Sequence, residues 1–468
     1  MTRQVDVAIV GAGSAGLYAM SQVKAAGKNF VLIDGGELGT TCARVGCMPS
    51  KALIQIAEDF HRRKIFKREG IEGGDNLTIT TADAMEHVED LRDTFVDRVL
   101  SNSVDQMGDE LITANAHFIA PGILEADGEQ IHAEKIILAT GSSPIVPNSW
   151  REFGDSIVTT DEFFEMGDLP ESMAIIGLGV IGLELGQSLH RLGVRTVGID
   201  QVDTIAGLTD PETAKTATDL LSKEMTLWLG HAANIQSLDN GQLQVSCGDN
   251  KITVDKVLVC MGRRPTLENL QLDKAGIRCN DQGIPDYDPH TMQITGQPVF
   301  IAGDNNGDRP LLHEAGDEGT IAGLNASAAS IRRFRRKTPF SITFSDPNIV
   351  SVGLSYAELD LGATAIASIS LAPVGRALIM GRNRGLIRLY ANKQDGTLLG
   401  ASLVMAQGEH LGHLLAWSIE QQMTVLQMLE MPFYHPVLEE ALQPVLRTLL
   451  SECNIQTTIP AGLRLLEN

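Results

Sequence analysis

At 468 residues the chain has the length for roughly two to four domains with large apolar cores. Its 43% hydrophobic and 21% charged content excludes a disordered or fibrous protein. A formal net charge of −22 disfavours nucleic acid and anionic membrane as partners, while it suits either a basic protein partner or plain solubility.

The first element expected is a strand over Val5–Val10, followed by Gly11-Ala-Gly13-Ser-Ala-Gly16 and a helix to about Gly27. A second strand, Phe30–Ile33, ends on Asp34. This strand, glycine turn, helix, strand and acid form a dinucleotide-binding unit. Its glycines let backbone approach a pyrophosphate at the helix start, and the acid accepts from a ribose hydroxyl.

The stretch Leu38–Lys51 follows, reading Leu-Gly-Thr-Thr-Cys-Ala-Arg-Val-Gly-Cys-Met-Pro-Ser-Lys. A regular helix would separate Cys42 from Cys47 by about 7.5 Å along its axis, whereas a disulfide wants Cα atoms roughly 4.4–6.8 Å apart. A bridge here therefore needs a deformed turn, which Gly46 can supply. Two reduced cysteines in a core is the alternative, and the flanking glycines fit no buried element. Cys247, Cys260, Cys279 and Cys453 are scattered and read as small core residues or free thiols.

Ala52–Arg68 and Ala82–Met107 are expected as helices, the second an amphipathic scaffold. Leu111–Ile119 and Ile131–Leu138 are expected as strands, with Asp127-Gly128 as the turn between them. The second strand runs into Ala139-Thr140-Gly141-Ser142. A second nucleotide unit opens at Ala174–Ile176 with Gly177-Leu-Gly179-Val-Ile-Gly182-Leu-Glu184, and its later strand Thr196–Ile199 ends on Asp200. Asp34 follows Gly11, and Asp200 follows Gly177, by the same 23 residues. Two dinucleotide sites are expected. Asp200 would repel a ribose 2′-phosphate and no arginine directly follows it, which favours NAD over NADP.

Strands Leu243–Ser246 and Val254–Cys260 lead to Gly262-Arg263-Arg264-Pro265, and Val299–Asp304 stops on Gly303-Asp304. A helix around Leu312–Ala329 precedes the basic run Arg332–Lys337, expected as a solvated helix end and linker. From Pro339 the chain alternates strands (Ile342–Phe344, Leu386–Tyr390, Leu399–Val404) with helices and lacks a glycine fingerprint. Near its end stands Tyr434-His435-Pro436-Val437-Leu438-Glu439-Glu440. Pro436 is expected to start a helix, with Glu440 one turn in and able to reach the imidazole of His435. A histidine held by a carboxylate is what a general base near a thiol requires. The first residues run straight into a strand, and no apolar run approaches the ~20 residues of a membrane span. A soluble, cytoplasmic protein with no metal site is expected.

Together these motifs resemble the flavin-dependent pyridine nucleotide–disulfide oxidoreductases, most closely the dihydrolipoamide dehydrogenase branch, over essentially the whole chain. The resemblance implies an α/β fold with two Rossmann-like domains, for FAD and for NAD, and a C-terminal α+β dimerisation domain. FAD would take 1–149 and 271–338, NAD 150–270, and the dimer interface 339–468. Gly11, Gly13, Gly16, Asp34, Thr41, Lys51, Thr140, Gly141, Gly303 and Asp304 would contact FAD. Gly177, Gly179, Gly182, Asp200 and Gly262 would contact NAD. Cys42 and Cys47 match the redox disulfide, Cys42 exchanging with substrate and Cys47 facing the flavin. Lys51 and Glu184 match an ion pair beside the flavin, and His435 and Glu440 an acid–base pair acting on the other subunit's disulfide.

The implied activity is oxidation of dihydrolipoyl dithiols by NAD, within a homodimer that serves a lipoyl-bearing acyltransferase. The alternatives are reduction of another disulfide or of mercuric ion, or a flavoprotein binding subunit with vestigial catalysis. Glutathione reductases carry Pro-Lys-Lys where this chain has Pro49-Ser50-Lys51, and mercuric reductases a C-terminal cysteine pair where only Cys453 stands. Thr40, Arg44, Tyr434 and Val437 depart from the dihydrolipoamide dehydrogenase pattern, with Thr40 in a glycine's place. Arg44 would favour an anionic dithiol or pair with Glu37.

Overall fold

The computed structural model describes residues 2–466. Its first sheet is built on β1 (Thr2–Val10), whose residues Val7, Ala8 and Ile9 are fully buried. A strand buried on both faces reads as a continuous apolar run, which is why no alternation marks it. β1 pairs in parallel with β2 (Phe30–Ile33) on one side and β6 (Glu129–Leu138) on the other. Val7 and Ile9 pack with Ala15, Ala19 and Val23 of helix α1 (Ser14–Ala25), while Ala8 and Val10 face the opposite core. Beyond β2 lies β3 (Leu111–Ile112); beyond β6 lie β5 (Ile123–Ala126) and β4 (His117–Ala120). The strand Val299–Ile301 returns from far along the chain to pair in parallel with the last residues of β6.

The second nucleotide unit repeats this plan in a five-stranded sheet. Its order is Thr226–Trp228, Arg195–Ile199, Ser172–Ile176, Lys256–Val259, Ile157–Val158. The tail forms an antiparallel sheet of Phe340–Thr343, Asn348–Gly353, Leu398–Met405, Leu386–Asn392 and Thr364–Ser370, backed by helices Gly408–Glu420 and Leu442–Ser451. Between nucleotide units and tail runs helix α3 (Cys47–Phe66), which packs on α4 (Thr81–Ser103) and on the helix Val180–Arg191. No helix among the described residues is long and apolar enough to cross a membrane.

Several expectations on element boundaries are corrected. The run Leu111–Ile119 is two strands, β3 and β4, and Asp127-Gly128 joins β5 to β6, both residues at positive φ. The run Val254–Cys260 breaks at Asp255, whose carboxylate turns away to accept from the Ser172 backbone N–H and hydroxyl. Helix α3 starts at Cys47, five residues before the expected Ala52. The strands Asn348–Gly353 and Thr364–Ser370 have no counterpart in the expected elements. The basic run is an extended linker, yet Arg336 is not solvated. Its side chain, 10% exposed, lies between Glu314 and Glu318, each 2.6 Å away.

Candidate active site

The two glycine turns are constructed alike. A Cβ on Gly11 would lie 2.2 Å from the Ala139 carbonyl oxygen, and one on Gly177 would lie 2.3 Å from that of Cys260. A Cβ on Gly16 would meet the Gly11 oxygen at 1.8 Å, and one on Gly182 the Gly177 oxygen at 1.9 Å. These four glycines are therefore fixed by backbone packing. Gly13 and Gly179 are different, because a Cβ on Gly13 would meet only the Ala139 oxygen, at 4.0 Å, and one on Gly179 would meet nothing within that distance. They cap α1 and Val180–Arg191 with no side-chain hydrogen bond. Free helix-terminal N–H groups facing open space suit a dinucleotide's phosphates at both turns.

The acids repeat as well. Asp34 accepts from the N–H groups of Ala12 and Gly36, and Asp200 from those of Leu178 (2.7 Å) and Val202 (3.1 Å). Each carboxylate oxygen has a second lone pair, so capacity for a ribose hydroxyl remains. Three distant segments converge at the first unit. Ser142, after Thr140-Gly141, donates to Asp304 at 2.8 Å, and Asn305 donates to Thr140 at 3.2 Å. Arg263, following Gly262, donates to Ser142 at 2.8 Å. Asn305, beside Asp304, is fully buried with its Oδ1 unpartnered, a polar atom left without a protein donor at this turn.

The cysteine stretch is a broken helix. A short helix α2 (Thr41–Arg44) carries Thr41 and Cys42, and Cys47 is the first residue of α3. Gly46 makes the break possible through close approach: a Cβ there would lie 2.9 Å from the Thr41 oxygen and 3.2 Å from Cys42 Cα. Thr40, buried, caps α2 from a left-handed conformation, φ 68° and ψ 143°, rarely adopted by a β-branched residue. Cys42 and Cys47 are both thiols here, Cys47 exposed. The two sulfurs act on each other, Cys47 holding Cys42 well above the usual thiol range and Cys42 lowering Cys47 to about 7. The Lys51 ammonium lowers Cys47 further, against the opposing effect of burial. Arg44 pairs with Glu37.

Lys51, one turn into α3, reaches Glu184 at 2.7 Å, and its ammonium stands 4.7 Å from the Phe344 ring centre. His435 Nδ1 lies 2.8 Å from Glu440 Oε1, and the Val437 N–H donates to the other oxygen at 3.1 Å. This pairing with His435 lowers Glu440. Pro436 does not start the helix; helical turns begin at Glu439, and residues 435–438 form a bend. The His435 side chain is 81% exposed. Among the described residues it hydrogen-bonds Glu440 and no group from 41–51.

Two participants were not visible in the sequence. Glu318 accepts from the Gly303 N–H and from Asn306, both at 2.7 Å, and so supports the turn that carries Asp304. Burial pushes it up to about 7. Phe344 meets Lys51 with its ring and Glu184 with its N–H at 2.9 Å. Neither residue carried a local sequence signal.

The sequence model of the pyridine nucleotide-disulphide oxidoreductases matches residues 5–319, and that of their dimerisation domain matches 339–446, which supports a homodimer. The chain is 29% identical to a dihydrolipoyl dehydrogenase of Thermus scotoductus, over 93% of this chain and 95% of that protein. It is 30% identical to one of Halobacterium salinarum, over 93% and 94%. A mercuric reductase of Staphylococcus aureus is 27% identical over 85% and 74%. Among solved structures, LpdA of Mycobacterium tuberculosis superposes with TM-score 0.83 at 21% identity, covering 96% of this chain and 99% of that one. The Cu(II) complex of the HOCl-induced flavoprotein disulfide reductase RclA of Escherichia coli superposes with TM-score 0.82 at 21% identity, covering 95% and 99%. Such proteins use FAD and NAD(P), and this chain belongs to the pyridine nucleotide-disulphide oxidoreductases, close to the dihydrolipoyl dehydrogenases.

Proposed function

We propose that the chain is an NAD-dependent dihydrolipoamide dehydrogenase that oxidises dihydrolipoyl groups carried on an acyltransferase. The observation that carries this reading is the His435–Glu440 pair, an imidazole oriented by a carboxylate and turned outward on the tail. Oxidising a dithiol requires a base for the thiol proton, and Glu440 on Nδ1 leaves Nε2 to take it. Reduction of mercuric ion is disfavoured because Cys453 is buried in the tail's core and held by the Leu449 carbonyl.

His435 of one subunit would take a proton from the substrate, whose thiolate attacks Cys42 of the Cys42–Cys47 disulfide in the other. The S–S bond breaks and Cys47 leaves as thiolate, stabilised by the Lys51 ammonium. The second substrate thiol then attacks the mixed disulfide. Cys42 departs with a proton, and the substrate leaves as a disulfide. When bound, FAD would supply the two-electron acceptor for the Cys47 thiolate, and NAD the final hydride acceptor. Residues 1–149 and 271–338 would hold the first, 150–270 the second, and 339–468 the dimer contact.

Steady-state assays with dihydrolipoamide, glutathione disulfide and mercuric ion in parallel test the reading. Dihydrolipoamide should give the highest kcat/KM. Faster turnover of either other substrate would replace it.

A further inference from the structure

Behind the Lys51–Glu184 pair lies a second polar cluster that the proposed reaction does not use. Arg191, on the same helix as Glu184, is buried and donates to Glu224 at 2.6 Å and to Asp346 at 3.0 Å. Gln187, one turn earlier, donates to the Asp346 carbonyl at 2.9 Å and accepts the Asp346 N–H at 2.8 Å. Asp346 is thus tied to this helix by side chain, N–H and carbonyl. Two residues before it stands Phe344, whose N–H sits on Glu184 Oε1 and whose ring faces the Lys51 ammonium. A cation over an aromatic face is favoured most where water is excluded.

We infer that the Arg191–Asp346 ion pair is a clasp that positions Lys51: by fixing residues 344–347 against the second nucleotide unit, it holds the Phe344 ring beside the ammonium and the Phe344 N–H on Glu184. This deepens the proposed function and rests on its assignment of Lys51 as the cation beside the cysteine pair. Arg191 and Asp346 are positioning residues, acting through Phe344. With the clasp broken, the segment retreats, Lys51 swings toward water, and the Cys47 thiolate loses its cation. The charged and titratable groups facing the clasp are Glu58, His61 and Lys64 from α3, His190 and Glu224 from the second unit and Arg382 from the tail. Those facing Cys47 from its own chain are Cys42, Lys51 and Glu184, and the proposed dimer adds His435 from the other subunit.

The chain supplies its own readout, because Arg44 lies between the cysteines and trypsin delivers them on separate peptides. The reduced holoenzyme is pulse-alkylated with iodoacetamide across pH, and the midpoint for Cys47 is read by mass spectrometry. The variants are Arg191→Gln, Asp346→Asn and Phe344→Leu, with Lys51→Met alongside. Direct Coulomb effects would move the first two in opposite directions, since one removes a cation and the other an anion. Loss of positioning raises the midpoint in both, and also in Phe344→Leu, which changes no charge, by roughly half a pH unit. Shifts of opposite sign, or lowered thermal stability with an unmoved midpoint, overturn the clasp. If Lys51→Met raises the midpoint while the clasp variants do not, the inference fails and the proposed function stands. An unmoved midpoint in Lys51→Met removes both.

Discussion

Glu184 Oε2 lies 2.7 Å from Lys51 Nζ, and the two partners are unequally buried, 3% against 36% exposed. Removing one partner therefore differs from removing the other. Lys51→Met leaves a buried carboxylate with only the Phe344 N–H, and breaking a fully buried pair in this way costs about 3–5 kcal/mol. Because Lys51 is partly solvated, we expect about 2–3 kcal/mol. Glu184→Gln keeps an acceptor for Phe344 and frees Lys51 to reach water, so about 1 kcal/mol is expected. The double variant should recover part of the larger loss. Urea unfolding of the holoenzyme measures all three. Equal costs for the single variants would show that the buried carboxylate is not the dominant strain.

What could be read in the chain beforehand follows from the range over which each residue is constrained. Gly16 and Gly182 were legible because their demands come from Gly11 and Gly177, five residues earlier, while Gly11 and Gly177, which face the distant Ala139 and Cys260 carbonyls, were legible through the repeated spacing. His435 with Glu440 was legible for the same reason as Gly16 and Gly182, although the helix start assigned to Pro436 was not correct. The break at Asp255 was hidden because its cause, Ser172, lies far away in sequence. Arg336 read as a solvated charge because a basic run in an acidic chain looks like one. Its partners Glu314 and Glu318 belong to a helix whose burial depends on the first sheet. Phe344 was illegible for that reason too, since its role exists only where three elements meet.

Thr40 supplies a local test of the redox loop. Its left-handed φ stores roughly 1–3 kcal/mol for a β-branched residue. Thr40→Gly relieves this, while it loosens the unfolded chain by about 0.4–1 kcal/mol and forfeits the hydroxyl's 3.3 Å bond from the Ala43 N–H, worth a few tenths at a glycine-replaced cap. A net gain of about 1 kcal/mol is expected. Thr40→Ser, which keeps both hydroxyl and strain, should stay close to the parent. Thermal denaturation with bound flavin decides, and a destabilised glycine variant would mean the loop does not hold this conformation in solution.

In the proposed function, cofactor choice turns on Asp200. Its oxygens already accept the Leu178 and Val202 N–H groups, so the carboxylate is fixed at the strand end with capacity for a free 2′-hydroxyl and none for a phosphate. NAD should therefore exceed NADP in kcat/KM. Asp200→Ala should narrow the ratio by about tenfold or more, which corresponds to roughly 1.4 kcal/mol. The comparison needs only the two nucleotides at matched ionic strength. Equal use of both by the parent enzyme would place the ribose elsewhere.

The proposed sharing of the active site between two chains has a test that separates it from a site folded within one chain. His435 is turned outward on a tail that carries the dimerisation domain, and its ring bonds nothing from 41–51. Chains carrying Cys47→Ser and His435→Ala are co-expressed with different tags, and the heterodimer is isolated through both. Each parental homodimer should be nearly inactive whichever arrangement holds, because every site has one lesion. In a heterodimer with shared sites, one site joins the intact disulfide of the first chain to the intact histidine of the second. The complementary site carries both lesions. Activity should then return to about half that of the parent enzyme per dimer, since one site in two is whole. If each chain builds its own site, every site in the heterodimer still carries one lesion and nothing is recovered. Subunit exchange during purification would dilute the gain toward the inactive homodimers, so tag content is measured on the assayed fraction. A verified heterodimer as inactive as its parents would therefore place His435 beside the cysteines of its own chain.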